Sequence, residues 1–335
     1  MAVNPYLRLL LRLRGESHGE GGDPISLTAP RLRRALGKAL IVRFCPFGEP
    51  RCQAQPPAGG RRPAPRDLCR LAEDCPYGVL FAASRSPRPP FALHVPHDFG
   101  MPPRPSLADT HLEVTLYGPA WSLYPWALWA IKRACYRGLG TARRRWSVEE
   151  VSQVRPDGTR DRLCAADLRE LPATLEPDEV VLRLDLALLL RLVEVTLLSP
   201  ARLLRDGRIL PGFEPIPLDL LVARILDRFR GLYGDHASEL LQAERRSKVE
   251  AEAAEVPLLT DETHWFEARD PAARTRSEML LGGKVGRLVY PEAAARFFSL
   301  LKAGEILHLG KNVASGCGRI QVIHAEGATV PSLPH

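Results

Sequence analysis

The sequence predicts an α+β protein made of two βαββαβ units in tandem. Three observations support this: each half of the 335-residue chain alternates strand patterns with two helical patterns, residues 182–197 alternate apolar and polar positions, and residues 217–233 carry an apolar helical stripe. A chain of this length, with 45% hydrophobic and 25% charged residues, can bury two ordinary cores. We therefore expect two soluble globular units.

The first half opens with a strand over residues 7–14, followed by a glycine-rich loop at 15–23 that contains His18. Thr28 is a helix N-cap residue, and Pro30 suits the first turn of the helix that follows. The polar face of that helix carries Arg31, Arg34 and Lys38. A strand at 111–117 and a buried helix at 121–139 complete this unit.

Residues 45–81 lack periodicity and are rich in Pro, Gly, Arg and Cys, so we predict an insertion outside the core of the first unit. It contains Cys45, Cys52, Cys69 and Cys75. Four thiolates suit a structural zinc ion, which would stabilise a segment too short to bury a core. Reduced cysteines in a disordered insert and an iron–sulfur cluster are the alternatives.

The second half begins with the alternating run, whose parity changes near residue 193, so we expect a bulge or two strands joined by a bend. Helices follow at 217–233 and 239–255. A strand at 287–290, a helix from Pro291 that closes at Gly304, and a strand at 319–323 come last. The predicted fold is thus two ferredoxin-like (RRM-like) units, at 1–175 and 176–326, with a tail at 327–335.

A glycine-rich loop, residues 304–318, lies between the last helix and the last strand. Five residues separate Gly304 from Gly310 and Asn312 follows Lys311, so this is not a Walker loop. A helix precedes the glycines and a strand follows them, which excludes a dinucleotide fingerprint. We expect the loop backbone to approach an anion closely, with its amides holding one phosphate oxygen and Lys311 another.

Several motifs in the chain resemble those of the CRISPR-associated pre-crRNA-processing endoribonucleases of the RAMP superfamily. They are Gly282-Gly-Lys-Val-Gly286, His308-Leu-Gly-Lys311 and Gly316-Cys-Gly318, with looser matches at Leu198-Ser-Pro-Ala-Arg-Leu203, Phe44-Cys-Pro46 and Cys75-Pro-Tyr-Gly-Val-Leu-Phe81. The resemblance implies tandem ferredoxin-like units and metal-independent cleavage of CRISPR repeat RNA. It also implies other CRISPR effector subunits as partners.

RNA cleavage without a metal needs a base for the 2′-hydroxyl proton, an acid for the leaving 5′-oxygen, and cations for the phosphoryl charge. Our first catalytic candidate is His308, followed by His18 and Lys311; the alternative for His308 is packing beneath the loop. In the resembled family the histidine commonly lies near the first helix, but residues 28–44 contain none. The candidate RNA-binding residues are Arg31, Arg34, Lys38, Lys284, Gly310, Lys311, Gly316, Gly318 and Arg319.

The composition is basic and favours arginine. The formal net charge is +7, and only six of the 46 lysine and arginine residues are lysines. Arginine binds phosphate with two parallel hydrogen bonds and stacks on bases, which suits RNA, although a GC-rich genome would give the same bias. The apolar run 180–198 contains Arg183, Asp185, Arg191 and Glu194, so it is not a transmembrane helix. Seven cysteines and no visible secretory signal favour the cytoplasm.

Three functions remain open from the sequence. The first is an endoribonuclease that cuts CRISPR precursor RNA within its repeats. The second is a catalytically inactive subunit that holds the RNA in an effector complex, an alternative that the histidine-free first helix keeps open. The third is a nucleic-acid adaptor that uses the cysteine-containing segment.

Overall fold

The computed structural model describes residues 3–16, 28–45, 75–81, 89–96, 109–139, 143–165, 168–185, 191–268 and 280–325. The chain divides into two compact units. Unit 1 is Met1–Glu179 with Val313–Gly316, and unit 2 is Val180–Asn312 with Cys317–His335. His18, Cys52, Cys69 and the predicted tail lie outside the described residues.

Unit 1 is an antiparallel sheet covered on one face by helices. Its strands are β1 (Pro5–Gly15), β2 (Phe91–His94), β3 (Asp109–Tyr117), β4 (Trp146–Val154), β5 (Arg160–Ala165) and β6 (Asp178–Glu179). Its helices are α1 (Ala29–Phe44), α2 (Pro76–Phe81) and α3 (Tyr124–Arg137), with 3₁₀ turns at Gly118–Leu123, Leu168–Glu170 and Val313–Ser315. The strand order β2-β3-β1-β4-β5 is the ferredoxin-like order with one strand added at the edge, as predicted.

The period-2 pattern of β1 decides which face of this sheet is covered. Leu7, Leu9, Leu11 and Leu13 are all buried in the core of unit 1. Helix α1 packs on the same side and begins where the sequence predicts, because the Thr28 hydroxyl accepts a hydrogen bond from the Arg31 amide at 3.4 Å. The alternating leucines thus determine the buried face of β1, and the Thr28 cap determines where α1 begins.

The opposite face of the sheet carries charges that pair with one another. Arg8 contacts Glu113 at 2.6 Å, and Arg12 and Arg162 both approach Glu150, at 3.9 and 3.8 Å. RRM domains use aromatic side chains on their sheet to stack bases. The described strands of this face offer paired charges instead, so the likeness to RRM domains is one of topology.

Helix α2 corrects the prediction that all of residues 45–81 lie outside the core. Leu80 is buried in the core of unit 1, and the Phe81 ring lies 5.2 Å from the Phe91 ring. Gly37 of α1 faces Phe81 so closely that an added β-carbon would lie 3.3 Å from it. The short apolar run Val79-Leu-Phe81 is therefore part of the core, while residues 46–74 lie outside the described residues.

Unit 2 repeats the architecture. Its strands are β7 (Leu192–Ala201), β8 (Leu204–Arg205), β9 (Arg208–Ile209), β10 (Thr260–Asp261), β11 (His264–Phe266), β12 (Gly283–Pro291) and β13 (Ile320–Ala325). Its helices are α4 (Leu218–Tyr233), α5 (Ala243–Ala254) and α6 (Phe298–Leu307), with 3₁₀ turns at Glu239–Leu241 and Glu292–Phe297. The order β10-β12-β7-β13, with β11 also pairing β12, again matches the ferredoxin-like order.

The alternating run 182–197 contains only part of a strand. Strand β7 begins at Leu192, and the described residues 181–185 form no strand. Asp185 instead caps the start of α6, since its carboxylate accepts hydrogen bonds from the Ser299 amide and hydroxyl, both at 2.7 Å. A carboxylate at a helix N-terminus is stabilised by the helix dipole. This segment therefore serves the last helix and not the sheet.

The last helix runs beyond Gly304, where the sequence predicted its end. It continues to Leu307, and His308 follows with a left-handed φ of 58°. Gly304 lies inside the helix because it faces α4 closely: an added β-carbon would lie 3.0 Å from Cδ1 of Ile225. The glycine thus permits close helix packing and does not stop the helix.

The part of the chain that the structure describes contains no helix long and apolar enough to cross a membrane.

Candidate functional site

Helix α6 leads into the glycine-rich loop. Two largely buried arginines bind the C-terminal end of this helix. Nε of Arg228, a residue only 1% exposed, donates to the carbonyl oxygen of Leu307 at 3.2 Å. The guanidinium of Arg319 donates to the carbonyl oxygen of Glu305. The His308 amide donates to the carbonyl oxygen of Gly304 at 3.0 Å. Cations at a helix C-terminus satisfy its free carbonyls and complement its dipole. The start of the loop is therefore fixed.

The backbone amides of the loop bind protein oxygens. The Lys311 amide donates to the carbonyl of Arg202 at 3.2 Å, and the Arg319 amide donates to the Ser199 hydroxyl at 2.9 Å. Four further amides donate to protein carbonyls, those of Leu309, Gly316, Cys317 and Gly318. The expectation that the loop amides hold a phosphate is wrong for these six donors, because each is already used within the protein.

The loop glycines serve the same backbone contacts. Gly310 and Gly318 have φ values of 80° and 77°, in the left-handed region. An added β-carbon would lie 2.6 Å from the Arg202 carbonyl oxygen at Gly310 and 1.8 Å from that of Leu309 at Gly318. Glycine is required at both positions because protein backbone approaches there. Gly316 also has a left-handed φ, of 92°.

The side chain of His308 is buried within unit 2. It is 1% exposed and occupies the position immediately after α6. A general base for RNA must reach the ribose of a bound strand, which an imidazole at this depth does not do. The structure thus matches the alternative in which His308 packs beneath the loop.

Lys311, in contrast, is exposed at the tip of the loop. Its own amide is fixed to Arg202, and the neighbouring Asn312 side chain donates to the Leu280 carbonyl at 3.2 Å. Arg202 donates to the same Leu280 carbonyl at 3.0 Å. Lys311 is therefore a solvent-facing cation on a fixed backbone, an arrangement that suits binding of a phosphate as a point charge.

Two of the predicted RNA-binding cations are directed inward. Lys284 is 2% exposed, contacts Asp261 at 3.8 Å and donates to the carbonyl oxygen of Glu214. Burial lowers the pKa of its ammonium group, with Asp261 opposing that shift. Arg319 is buried at the end of α6. Both side chains bind groups within unit 2, so neither is directed towards solvent where an RNA strand could reach it.

In unit 1 the predicted basic residues share one face of α1. Arg31 and Arg34 are half-buried and Lys38 is exposed, at helical spacings of three and four. Each of the three also has an interaction within the protein. The described helix contains no histidine, and His18 lies outside the described residues. These three residues stay candidates for phosphate contacts.

Two of the four predicted zinc ligands are among the described residues. Cys45 and Cys75 are partly exposed, while Cys52 and Cys69 lie outside the described residues. Across the described ranges, no group of three or more His, Cys, Asp or Glu side chains is placed to hold a metal ion. The four-thiolate site stays a prediction.

The structure also shows surface residues that sequence analysis did not select. A hairpin of β8 and β9 exposes Arg205 and Arg208, and Phe213 follows it, 88% exposed. Trp265 lies beneath this segment, because an added β-carbon on Gly212 would lie 2.8 Å from its Cβ. The signal available in the sequence was the run Pro211-Gly-Phe-Glu-Pro-Ile-Pro217, which places an aromatic residue among three prolines.

Comparison with known proteins bears on both units. Residues 195–320 match the family model described as CRISPR-associated endoribonuclease Cas6, and residues 26–175 match a model described as an N-terminal domain. No curated protein sequence matches the chain. The Cas6 match spans the glycine-rich loop, Arg228 and the β8–β9 hairpin.

Solved structures similar to this one include two of a Thermus thermophilus Cas6 protein. Its product complex has a TM-score of 0.51 and 16% identity, covering 95% of this chain and 99% of that chain. A second structure of that protein has a TM-score of 0.50 and 13% identity, covering 96% and 100%. At these identities the likeness concerns the fold, in both ferredoxin-like units. Residues 195–320, most of unit 2, thus match the Cas6 family model, and the fold of the chain is similar to that of the Cas6 structures.

Proposed function

We propose that this protein is an endoribonuclease that cuts CRISPR precursor transcripts within their repeats without a catalytic metal. The observation that carries the proposal is the match of residues 195–320 to the Cas6 endoribonuclease family. That segment contains Lys311, which faces solvent on a loop with a fixed backbone. A net charge of +7 favours a polyanionic substrate.

The proposed reaction is transesterification. The 2′-oxygen attacks the adjacent phosphorus, the bond from phosphorus to the 5′-oxygen breaks, and the products carry a 2′,3′-cyclic phosphate and a 5′-hydroxyl. One group accepts the 2′-hydroxyl proton and another donates a proton to the 5′-oxygen. Lys311 stabilises the negative charge that develops on the phosphoryl oxygens. His18 is the candidate acid or base, because the His308 side chain is buried.

Binding of the repeat RNA involves cations in both units. Arg31, Arg34 and Lys38 on α1 contact phosphates, as Lys311 does in unit 2. Each phosphate contact releases condensed counterions, so affinity falls with increasing salt. Other CRISPR effector subunits are the proposed protein partners.

The proposal is tested with 5′-labelled repeat RNA in EDTA. We expect the wild-type protein to give a single product that ends in a cyclic phosphate, and the Lys311→Ala variant to cut at least about 10-fold more slowly. Lys248→Ala is the matched control, because Lys248 is an exposed lysine on α5 and should leave the rate unchanged. Equal rates for all three proteins would remove Lys311 from the proposal.

A second candidate function is an RNA-holding subunit without nuclease activity. Two observations favour it: the described helix α1 has no histidine, and His308 is buried. Such a protein would bind the repeat with the same salt dependence and leave it intact. The cleavage assay and a binding assay on the same RNA distinguish the two functions.

A further inference from the structure

Phe213 is the most exposed of the large hydrophobic side chains in the described part of the chain, at 88%. It lies at the tip of a turn in which the Glu214 amide donates to the Pro211 carbonyl at 3.2 Å. Prolines at 211, 215 and 217 fix φ on both sides of it. A single exposed apolar residue needs no explanation in itself, but these prolines also hold this one on a stiff loop.

The loop that displays Phe213 is also held from below. The Lys284 ammonium donates to the Glu214 carbonyl, and the Tyr290 hydroxyl donates to the Ile216 carbonyl at 2.8 Å. The Ile216 amide donates to the Asp261 carboxylate at 3.3 Å. Three side chains of the sheet, two of them buried, thus fix three backbone groups of this loop. The Phe213 ring is presented to solvent by a preorganised support, which lowers the entropy cost of binding a partner.

The surroundings of Phe213 contain both basic and acidic groups. Arg205 and Arg208 lie on the preceding hairpin, both exposed, and Arg205 approaches Asp219 at 3.7 Å. Asp206 occupies the hairpin turn and Glu267 binds the Trp265 indole at 2.6 Å. Glu214 directly follows Phe213, and the two exposed arginines of the hairpin are the groups here that can bind phosphate oxygens.

A chain of contacts within unit 2 connects the loop of Phe213 to the loop of Lys311. Gly212 touches Trp265, and Trp265 lies 3.4 Å from the position of an added β-carbon on Gly282. Two residues before Gly282, the Leu280 carbonyl accepts hydrogen bonds from both Arg202 and Asn312, next to Lys311. The loop that carries Phe213 and the loop that carries Lys311 are therefore linked through Trp265 and residues 280–282.

We propose that Phe213 stacks on an unpaired nucleobase of the RNA strand whose phosphates contact Lys311 and the arginines of the hairpin. The inference rests on the proposed RNA-cleaving function and deepens it by assigning a base-binding position. Only an unpaired base offers a free face to an aromatic ring, so the strand at this point is single-stranded. Stacking tolerates any base, and Phe213 therefore contributes affinity more than sequence specificity.

The test uses single-stranded repeat RNA carrying 2-aminopurine at one position at a time. Stacking on Phe213 should quench the fluorescence at one position in the wild-type complex. Phe213→Ala should restore the fluorescence there and weaken binding about 10-fold, whereas Phe213→Trp should keep both properties. Phe213→Leu retains an apolar side chain without the ring and should behave as Phe213→Ala does. Leu259→Ala, at a half-exposed residue of the same unit, is the control.

Failure of this inference is distinguishable from failure of the proposed function. If the wild-type protein neither binds nor cuts the RNA, the proposed function fails. If it does both and Phe213→Ala and Phe213→Leu bind with unchanged affinity and unchanged quenching, the stacking position is wrong. Full RNA binding by these variants, together with lost association with another CRISPR subunit, would likewise overturn the base-stacking role and assign Phe213 to a protein partner.

Discussion

Leu309 and Gly318 close the glycine-rich loop on itself: the Leu309 amide donates to the Gly318 carbonyl oxygen at 2.7 Å. The two backbones are so near that a β-carbon at Gly318 would lie 1.8 Å from the Leu309 carbonyl oxygen. The glycines of this loop thus allow backbone to meet backbone. In the proposed function these glycines act indirectly, by fixing the position of Lys311.

This contact gives a matched pair of substitutions. Gly318 and Gly207 have nearly the same left-handed φ, 77° and 78°, but nothing lies within 4 Å of an added β-carbon at Gly207. Gly207→Ala should therefore cost only the conformational strain, about 1–2 kcal/mol of unfolding free energy. Gly318→Ala adds a steric overlap and should cost more than about 4 kcal/mol. Chemical denaturation measures both, and equal losses would contradict this role of Gly318.

Arg228 should stabilise the fold although it is charged and buried. Arg228→Met leaves the Leu307 carbonyl at the end of α6 without this donor, and we expect a loss of about 1–3 kcal/mol. Arg230→Met is the control on the same helix. Arg230 is about half exposed, and its ion pairs with Asp227 and Asp235 at 3.4 and 3.8 Å should contribute less than about 1 kcal/mol. A larger loss for Arg230→Met than for Arg228→Met would refute the capping role.

Lys284 should make stability depend on pH. Burial lowers the pKa of its ammonium group below the unfolded value, so between the lowered pKa and about 10.5 the unfolded chain binds more protons than the folded one. The unfolding free energy contributed by Lys284 therefore rises with pH through that window. We expect the stability difference between wild type and Lys284→Met to shift in favour of wild type as pH increases from 7 towards 10. A shift in the opposite direction would mean that burial does not dominate.

His308 and His18 should separate stability from activity. His308→Ala removes a buried side chain, so it should lower the melting temperature and leave the cleavage rate per folded molecule within about threefold. His18→Ala should lower the rate at least about 100-fold without a change in melting temperature. The pH profile should change only with His18. A large loss of cleavage rate in folded His308→Ala would contradict this prediction and make His308 the catalytic candidate again.

Much of the fold could be predicted from sequence because local signals and tertiary packing agree. Thr28 and Pro30 mark the start of α1, and the leucines of β1 mark its buried face. Residues 182–185 alternate as a strand would, but they form none, and Asp185 caps the start of α6 instead. Gly304 led to a wrong prediction of the helix end. A glycine is found there because the helix packs closely against Ile225, and this contact cannot be read from the sequence.

The site was less predictable, because residue type does not reveal the direction of a side chain. Lys284, Arg319 and Lys311 are all basic residues in glycine-rich motifs, yet of these three only Lys311 faces solvent. The sequence does not show that loop amides donate to protein carbonyls, so it predicted that they would bind phosphate. Phe213 could have been found from its flanking prolines, which stiffen a loop whatever the tertiary fold.

The central claim is that this protein cuts repeat RNA by attack of a 2′-oxygen, and one substrate change tests it. Cleavage in EDTA is compared between all-ribose repeat RNA and the same RNA with one 2′-deoxy nucleotide immediately before the scissile phosphate. We predict a single cut in the first RNA and none in the second, with binding affinity unchanged. Cleavage of the deoxy substrate at the same position and rate would contradict the account.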